Sequence, residues 1–257
     1  MNELSLLNPS DPHPVRTFGN PLSKRPFVFV GDHAGTAIPA ALGTLGLSDE
    51  DRGRHIAVDL GVEALGRMLA ERMDAPFLSQ AYSRLVIDCN RNPGAKDWIA
   101  AESDGTRIAG NEGLGEQAIA ARRTKIFDPY HRAIADLLDR RQDAGLPTIF
   151  VALHSFTPVM NGTARPWEIG ILHDGAEDAF ARDLLRVLQN GGRTIGDNEP
   201  YHMDDTDFTV PHHAFSRGLA YAEIEIRQDV LIADTEAMAV CLEDALQRAM
   251  AGPASAG

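Results

Sequence analysis

The sequence predicts a three-layer α/β domain, with helices on both faces of a central mixed, mainly parallel sheet, and three observations carry that prediction. Apolar runs such as PFVFV (26–30) and TIFVAL (148–153) have the length of buried strands and end abruptly in polar residues. Amphipathic stretches of helical period separate such runs, most clearly at 55–73, 178–190 and 235–251. A chain of 257 residues with this alternation fits one core, so a single domain spanning 1–257 is expected.

Taken in order, residues 1–25 are polar and Pro-rich and read as an arm on the domain surface. The strand that follows ends in Gly31-Asp32-His33, and HIAVDLGVEALGRMLAERM (55–73) places Ile56, Leu60, Ala64, Leu65, Leu69 and Met73 near one face of a helix. PFLSQ (76–80) and RLVIDC (84–89) read as two more strands, the second leading into Asn90 and Arg91. Pro93 to Gly115 is aperiodic and rich in Gly, Asp and Asn, a long loop of the kind that carries function. Residues 116–145 form one long helix or two joined near Asp128-Pro129, closed by Gly145. TIFVALHSF (148–156) and WEIGILHD (167–174) are strands, and the helix at 178–190 stops at Gly191-Gly192. AYAEIEIRQDVL (220–231) is the last strand, 235–251 the last helix, and 252–257 a frayed tail.

Hydrophobic residues at 44% and charged residues at 24% describe an ordinary soluble protein. A formal net charge of −13 argues against nucleic acid as a partner, while one or two Arg residues in a pocket would still hold a small anion. Cys89 and Cys241 are too few for a disulfide framework, which points to a reducing compartment. The N-terminus lacks the basic and apolar regions of a leader, and no stretch approaches the roughly 20 apolar residues of a membrane span, so a cytoplasmic protein is expected.

Ligands of open α/β sheets bind outside the carboxyl ends of the strands. There the sequence delivers His33, Asn90-Arg91, His154 and the Glu225 to Arg227 stretch. A histidine beside a core strand is often structural when alone, but together these suggest a catalytic zinc site of three N/O ligands. His33 and His154 are the first two ligands and Asp59 is the third, with Asp32 in reserve or as a partner of His33. The alternative for Asp59 is a carboxylate at a helix N-terminus. Glu225 is the candidate base; it shares a strand face with Glu223, opposite Ile224 and Ile226, unless both simply face solvent on an edge strand. Asn90 and Arg91 suit a substrate carboxylate, and Arg84 suits a carbonyl or its oxyanion, or a structural pair with Asp88. Ser155 lacks the Gly-x-Ser-x-Gly elbow of a nucleophile.

The ordered set His33-Ala34-Gly35 with Ile38-Pro39, Tyr82-Ser83-Arg84 through Asp88-Cys89-Asn90-Arg91, His154-Ser155-Phe156 and Glu225-Ile226-Arg227 resembles the N-formylglutamate amidohydrolase family. GNEGL (110–114), NGTARPWEIGIL (161–172) and GDNEPY (196–201) extend the resemblance, which runs from about Phe27 to Leu231. It implies the zinc-dependent exopeptidase fold shared with aspartoacylase and carboxypeptidases, and hydrolysis of an N-acyl amino acid such as N-formyl-L-glutamate, with one zinc ion as cofactor. It also implies that Asn90 and Arg91 hold the substrate carboxylate, that Arg84 polarises the carbonyl and that Glu225 is the general acid/base. His213, four residues before Arg217-Gly218, is implied as a substrate-binding residue on a loop, 201–217, that closes over substrate. Carboxypeptidases place a Glu three residues after the first zinc His, where this chain has Thr36, so the second ligand comes from elsewhere. Deacylation of another N-acyl amino acid, carboxypeptidase-like cleavage and non-catalytic metal-dependent binding are the rival functions.

Overall fold

Seven strands of the computed structural model form one sheet: β1 (Val15–Phe18), β2 (Phe27–Gly31), β3 (Phe77–Gln80), β4 (Ile149–Phe156), β5 (Ile169–Leu172), β6 (Ile195–Asp197) and β7 (Ala220–Arg227). Their order is β1-β3-β2-β4-β7-β5-β6. β3, β2, β4 and β7 lie side by side in parallel, β1 and β5 pair antiparallel with β3 and β7, and β6 runs parallel to β5. The structure describes residues 6–175 and 178–252, so the tail at 253–257 and the first five residues of the expected arm lie outside it.

The principal helices are α1 (Val62–Arg72), α2 (Glu116–Arg122), α3 (Asp128–Asp143), α4 (Ala179–Gln189), α5 (Thr209–His213), α6 (Gln228–Ala233) and α7 (Thr235–Met250). All eight residues of β4 are buried, as a strand covered on both faces requires. Ile149, Val151 and Leu153 pack in one apolar cluster with α1, α4 and α7, whereas Phe150 and Ala152 pack in a second with α3. Helices thus cover both faces, and the sheet is mixed and mainly parallel, as the sequence predicts.

Five elements differ from the sequence reading, among them the last strand, expected over 220–231, which ends at Arg227 and passes into α6. The first helix begins at Val62 rather than His55, because Gly61 sits at φ 86°, where a Cβ would lie 2.8 Å from Leu231. The preceding turn is bonded to the end of β2 instead, through Asp59 N–H to the His33 carbonyl at 2.9 Å. Residues 84–89 form no strand although Leu85, Val86, Ile87 and Cys89 are buried. Their carbonyls are taken by side chains: Asn111 donates to Leu85 O at 2.8 Å and Arg122 to Val86 O at 2.9 Å. The arm contributes the edge strand β1, and β6 is a strand too short, at three residues, to show a period. Residues 116–143 are continuous, with a π-helical segment, Arg123–Phe127, between α2 and α3 just before Pro129.

Two buried polar devices fasten the periphery. Arg141, fully buried on α3, donates to the carbonyls of Pro21, Ser23, Arg25 and Pro147, stitching the arm to the sheet with no carboxylate partner among the described residues. His131 Nε2 donates to the Cys89 carbonyl at 2.9 Å, which leaves Nδ1 to accept from His213 Nε2 at 3.0 Å and joins α5 to α3. Burial holds both imidazoles neutral, pushing His131 down to about 4, with Asp32 opposing, and His213 down to about 2.

Replacing Arg141 by Lys is expected to lower unfolding free energy by about 2–4 kcal/mol, because one ammonium cannot satisfy four carbonyls spread around a guanidinium. Denaturant titration checks this. For the histidine pair, the unfolded chain takes up protons below its ordinary His pKa while the native state does not, so stability is complete above that value and declines as pH falls towards 4. His131→Gln is expected to flatten this decline by roughly 2–3 kcal/mol, measured as the difference in unfolding free energy between pH 7 and pH 4.5.

Candidate metal centre and cavity

Register and side-chain alternation decide what meets at the carboxyl edge. In β4 and β7, Glu225 stands opposite His154 and Glu223 opposite Ala152, so these side chains share the face of Phe150 and Tyr221. On that face the strands switch from apolar to ionisable residues at their ends. β2 is the other neighbour of β4 and delivers Asp32 and His33 beyond Gly31; the His33 and His154 rings lie 5.0 Å apart.

Asp59 completes this cluster from the turn ahead of α1. Its Oδ2 lies 3.0 Å from His154 Nδ1 and 3.4 Å from His33 Nδ1, and accepts the Ser155 N–H at 3.3 Å. Ser155 Oγ donates to the Leu60 carbonyl at 3.0 Å, which holds the same turn and commits the hydroxyl away from nucleophilic work. His33, Asp59 and His154, all buried, each offer one donor atom within 4.8 Å of the others. The Asp59 carboxylate is therefore not a helix N-terminal residue, and the expected three residues converge.

The irregular segment after β3 adds charge. Asp88 Oδ1 accepts from His33 Nε2 at 2.7 Å and from Asn90 N–H at 2.8 Å, while Oδ2 accepts from Arg84 Nη2 at 2.7 Å. Arg84 also reaches Asp59 Oδ1 at 3.5 Å. Burial alone would raise the Asp88 carboxyl, but Arg84 and His33 outweigh it and hold it well below the ordinary range. Glu223 and Glu225 lack such donors: burial pushes them up to about 8 and about 7, with His154 opposing in both. Both are enclosed on an interior strand, so the solvent-facing alternative fails.

These residues fit a divalent cation on three counts. Five buried carboxylates, Asp32, Asp59, Asp88, Glu223 and Glu225, surround two imidazoles and one guanidinium. His33 Nδ1 is buried without a hydrogen bond while its Nε2 is held by a carboxylate, the arrangement that orients a metal-ligating histidine. The donor set, two nitrogens and one oxygen, is one that zinc accepts.

A cavity of about 380 Å³ opens over the cluster, within the size range of small-molecule sites. Arg84, Arg91 and Glu225 line it, so three further expected residues reach one space. Asn90 lines it too, but its Oδ1 accepts the N–H groups of Phe208 and Thr209 at 3.1 and 2.9 Å, so the amide mainly anchors α5. Arg91 is tied to Asp97 at 2.8 Å and to Asp207 at 3.3 Å. His213 is a correction: it is fully buried in the pair with His131 and does not line the cavity. The 201–217 segment instead contributes Tyr201, His202 and Asp207, and hairpin residues Glu102 and Ser103 form another wall. The sequence reading names no role for Tyr201 or Asp207, which lie in a polar stretch without periodicity; the signals were the 201–217 loop expected to close over substrate and the stretch GDNEPY ending at Tyr201.

The family profile of N-formylglutamate amidohydrolase matches residues 25–232. A gene product of Agrobacterium tumefaciens of known crystal structure is 34% identical, with 96% of this chain and 98% of that one covered at a TM-score of 0.91. The N-formylglutamate amidohydrolase from Ralstonia eutropha JMP134 is 19% identical, with 93% and 96% covered at a TM-score of 0.64, and shares the fold. No curated protein matches this chain. No helix among the described residues is long and apolar enough to cross a membrane. With its profile match spanning most of the sequence, the chain belongs to the N-formylglutamate amidohydrolase family, hydrolases that act on amide bonds.

Proposed function

We propose that this protein is a metal-dependent amidohydrolase that removes the N-acyl group of a small amino acid, with N-formyl-L-glutamate, cleaved to formate and glutamate, as the reference substrate. The convergence of His33, Asp59 and His154 beneath a cavity that also holds Glu225 and Arg84 carries this reading. The reading gives His33, Asp59 and His154 the task of holding one zinc ion. Asp88 fixes the His33 ring from behind, and Asp32 lies 3.4 Å from His154 Nε2. When bound there, zinc supplies Lewis-acid polarisation of an amide carbonyl and acidifies a water molecule.

The chain's own groups then divide the remaining work. Glu225 Oε2 is buried and free of hydrogen bonds, so it can take the proton of the attacking water and return it to the leaving nitrogen. Arg84 points its guanidinium at the cluster from a partly open position and stabilises negative charge on the acyl oxygen. Arg91 binds the substrate carboxylate, and Asn90 supports it by fixing the start of α5. The acidic remainder of the cavity wall disfavours large anions and suits a small substrate whose negative groups meet the two arginines.

Metal analysis by mass spectrometry is expected to find one zinc per chain in the wild type and in Glu225→Gln, and none in His33→Ala, Asp59→Ala or His154→Ala. Turnover measured alongside should be lost in all four. Zinc retained by Asp59→Ala at full stoichiometry would remove Asp59 from the ligand set. A kinetic panel of formyl, acetyl and peptide substrates checks the reaction class. Within it, Arg84→Ala is expected to lower kcat by on the order of 100- to 1000-fold, whereas Arg91→Ala should act mainly on KM.

A further inference from the structure

Tyr201 and Arg165 form a polar pair at the cavity mouth to which the mechanism above gives no task. Arg165 Nη1 donates to the Tyr201 hydroxyl at 2.9 Å, and its guanidinium carbon lies 4.8 Å from the Tyr201 ring centroid. The same guanidinium stands 5.8 Å from the Phe156 ring, and its Nη2 donates to Met160 Sδ at 2.9 Å. Arg165 is itself anchored through its backbone: its N–H donates to the Pro158 carbonyl at 2.9 Å, and Arg227, at the end of β7, donates to the carbonyls of Arg165 and Pro166 at 3.3 and 3.2 Å. A loop tyrosine is thereby tied to the rigid sheet.

The donor direction matters. Because Arg165 supplies the hydrogen in its bond to the phenol oxygen, the tyrosine's own O–H hydrogen is not used there, and no described residue accepts it. Tyr201 lines the cavity together with Arg84 and Glu225, and both charges act on its phenol. Burial and Glu225 raise the phenol above its ordinary value, with Arg165 and Arg84 opposing, so it is protonated at neutral pH and available as a donor.

We propose that Tyr201 is a further catalytic residue, whose O–H donates a hydrogen bond to the acyl oxygen beside Arg84 as negative charge develops there, and that Arg165 is its positioning residue. No proton is transferred: the phenol stays intact and the bond tightens only as the oxygen becomes anionic. This inference rests on the amidohydrolase reading. It separates two uses of the same hydroxyl, because a donor to the developing oxyanion acts on kcat, whereas a donor to the substrate carboxylate acts on KM.

Steady-state kinetics of Tyr201→Phe on N-formyl-L-glutamate tests it, since the substitution removes only the oxygen and its hydrogen and keeps the ring under Arg165. We expect kcat to fall by about 30- to 300-fold with KM within about twofold of wild type. Arg165→Met should lower kcat in the same sense in the wild-type background and have no further effect on Tyr201→Phe. A Tyr201→Phe enzyme with wild-type kcat, or with a change confined to KM, overturns the catalytic role. An Arg165→Met loss of equal size in both backgrounds overturns the positioning role. A wild type that hydrolyses no amide in the panel overturns the amidohydrolase reading and this role with it, which distinguishes that failure from an active Tyr201→Phe.

Discussion

Crowding five carboxylates into the buried carboxyl edge of one sheet is the constraint around which the rest of this protein is arranged. Each carboxylate removed from water costs several kcal/mol unless charge or hydrogen bonds replace its hydration. The five are treated differently. Asp88 is saturated by Arg84, His33 and a backbone N–H; Asp59 is shared among both imidazoles, Arg84 and the Ser155 N–H. Asp32 has neither oxygen hydrogen-bonded, and Glu223 and Glu225 each keep one oxygen free. Asp88 thus fixes its neighbours, Asp59 sits where the two imidazoles converge, and the unsaturated ones leave oxygens for added positive charge or a proton.

Holding such a cluster rigid takes backbone that a regular element cannot supply. A strand would put Arg84, Asp88 and Asn90 on one face but spread them over roughly 20 Å, and a helix would turn Asn90 away from the other two, so the irregular 84–91 segment is what gathers them at one edge. It is kept irregular by donors from elsewhere, Asn111 and Arg122 on its carbonyls and His131 on the Cys89 carbonyl. Those donors are buried polar residues that do not line the cavity themselves, and they bind the backbone behind its wall. Among the described residues Arg122 has no carboxylate partner, and burial pulls it down to about 10, which marks it as a backbone clamp rather than half of an ion pair.

The layered fold and the cluster itself were legible in the sequence because period and strand ends are local signals. The sequence reading names His33, Asp59, His154 and Glu225, which the structure brings to one edge, with Asp59 in a turn three residues ahead of the helix start where the reading puts it inside the helix. The overshoot arose because Ile56 and Leu60 carry the helical period through a turn whose side chains are equally apolar, while the deciding feature, the left-handed Gly61 against Leu231, depends on a contact 170 residues away in sequence. RLVIDC read as a strand for the same reason: side chains buried on all sides look alike in sequence whether the backbone is laddered or clamped. His213 was misassigned because nothing in the sequence reports that His131 lies beneath it. Tyr201 was missed because polar loop residues show their role only when a partner such as Arg165 holds them in place.

The arm has one more consequence. A parallel sheet ended at β3 would expose four residues of unpaired backbone, an invitation for another chain to add a strand. Val15–Phe18 closes that side in antiparallel register, and the carbonyls gathered by Arg141 keep it there; at the far side the boundary strand, Ile195–Asp197, is only three residues long. Both boundary strands are therefore short, four residues and three, and loosening the arm would uncover the fully buried β3 as an edge for another chain to pair with.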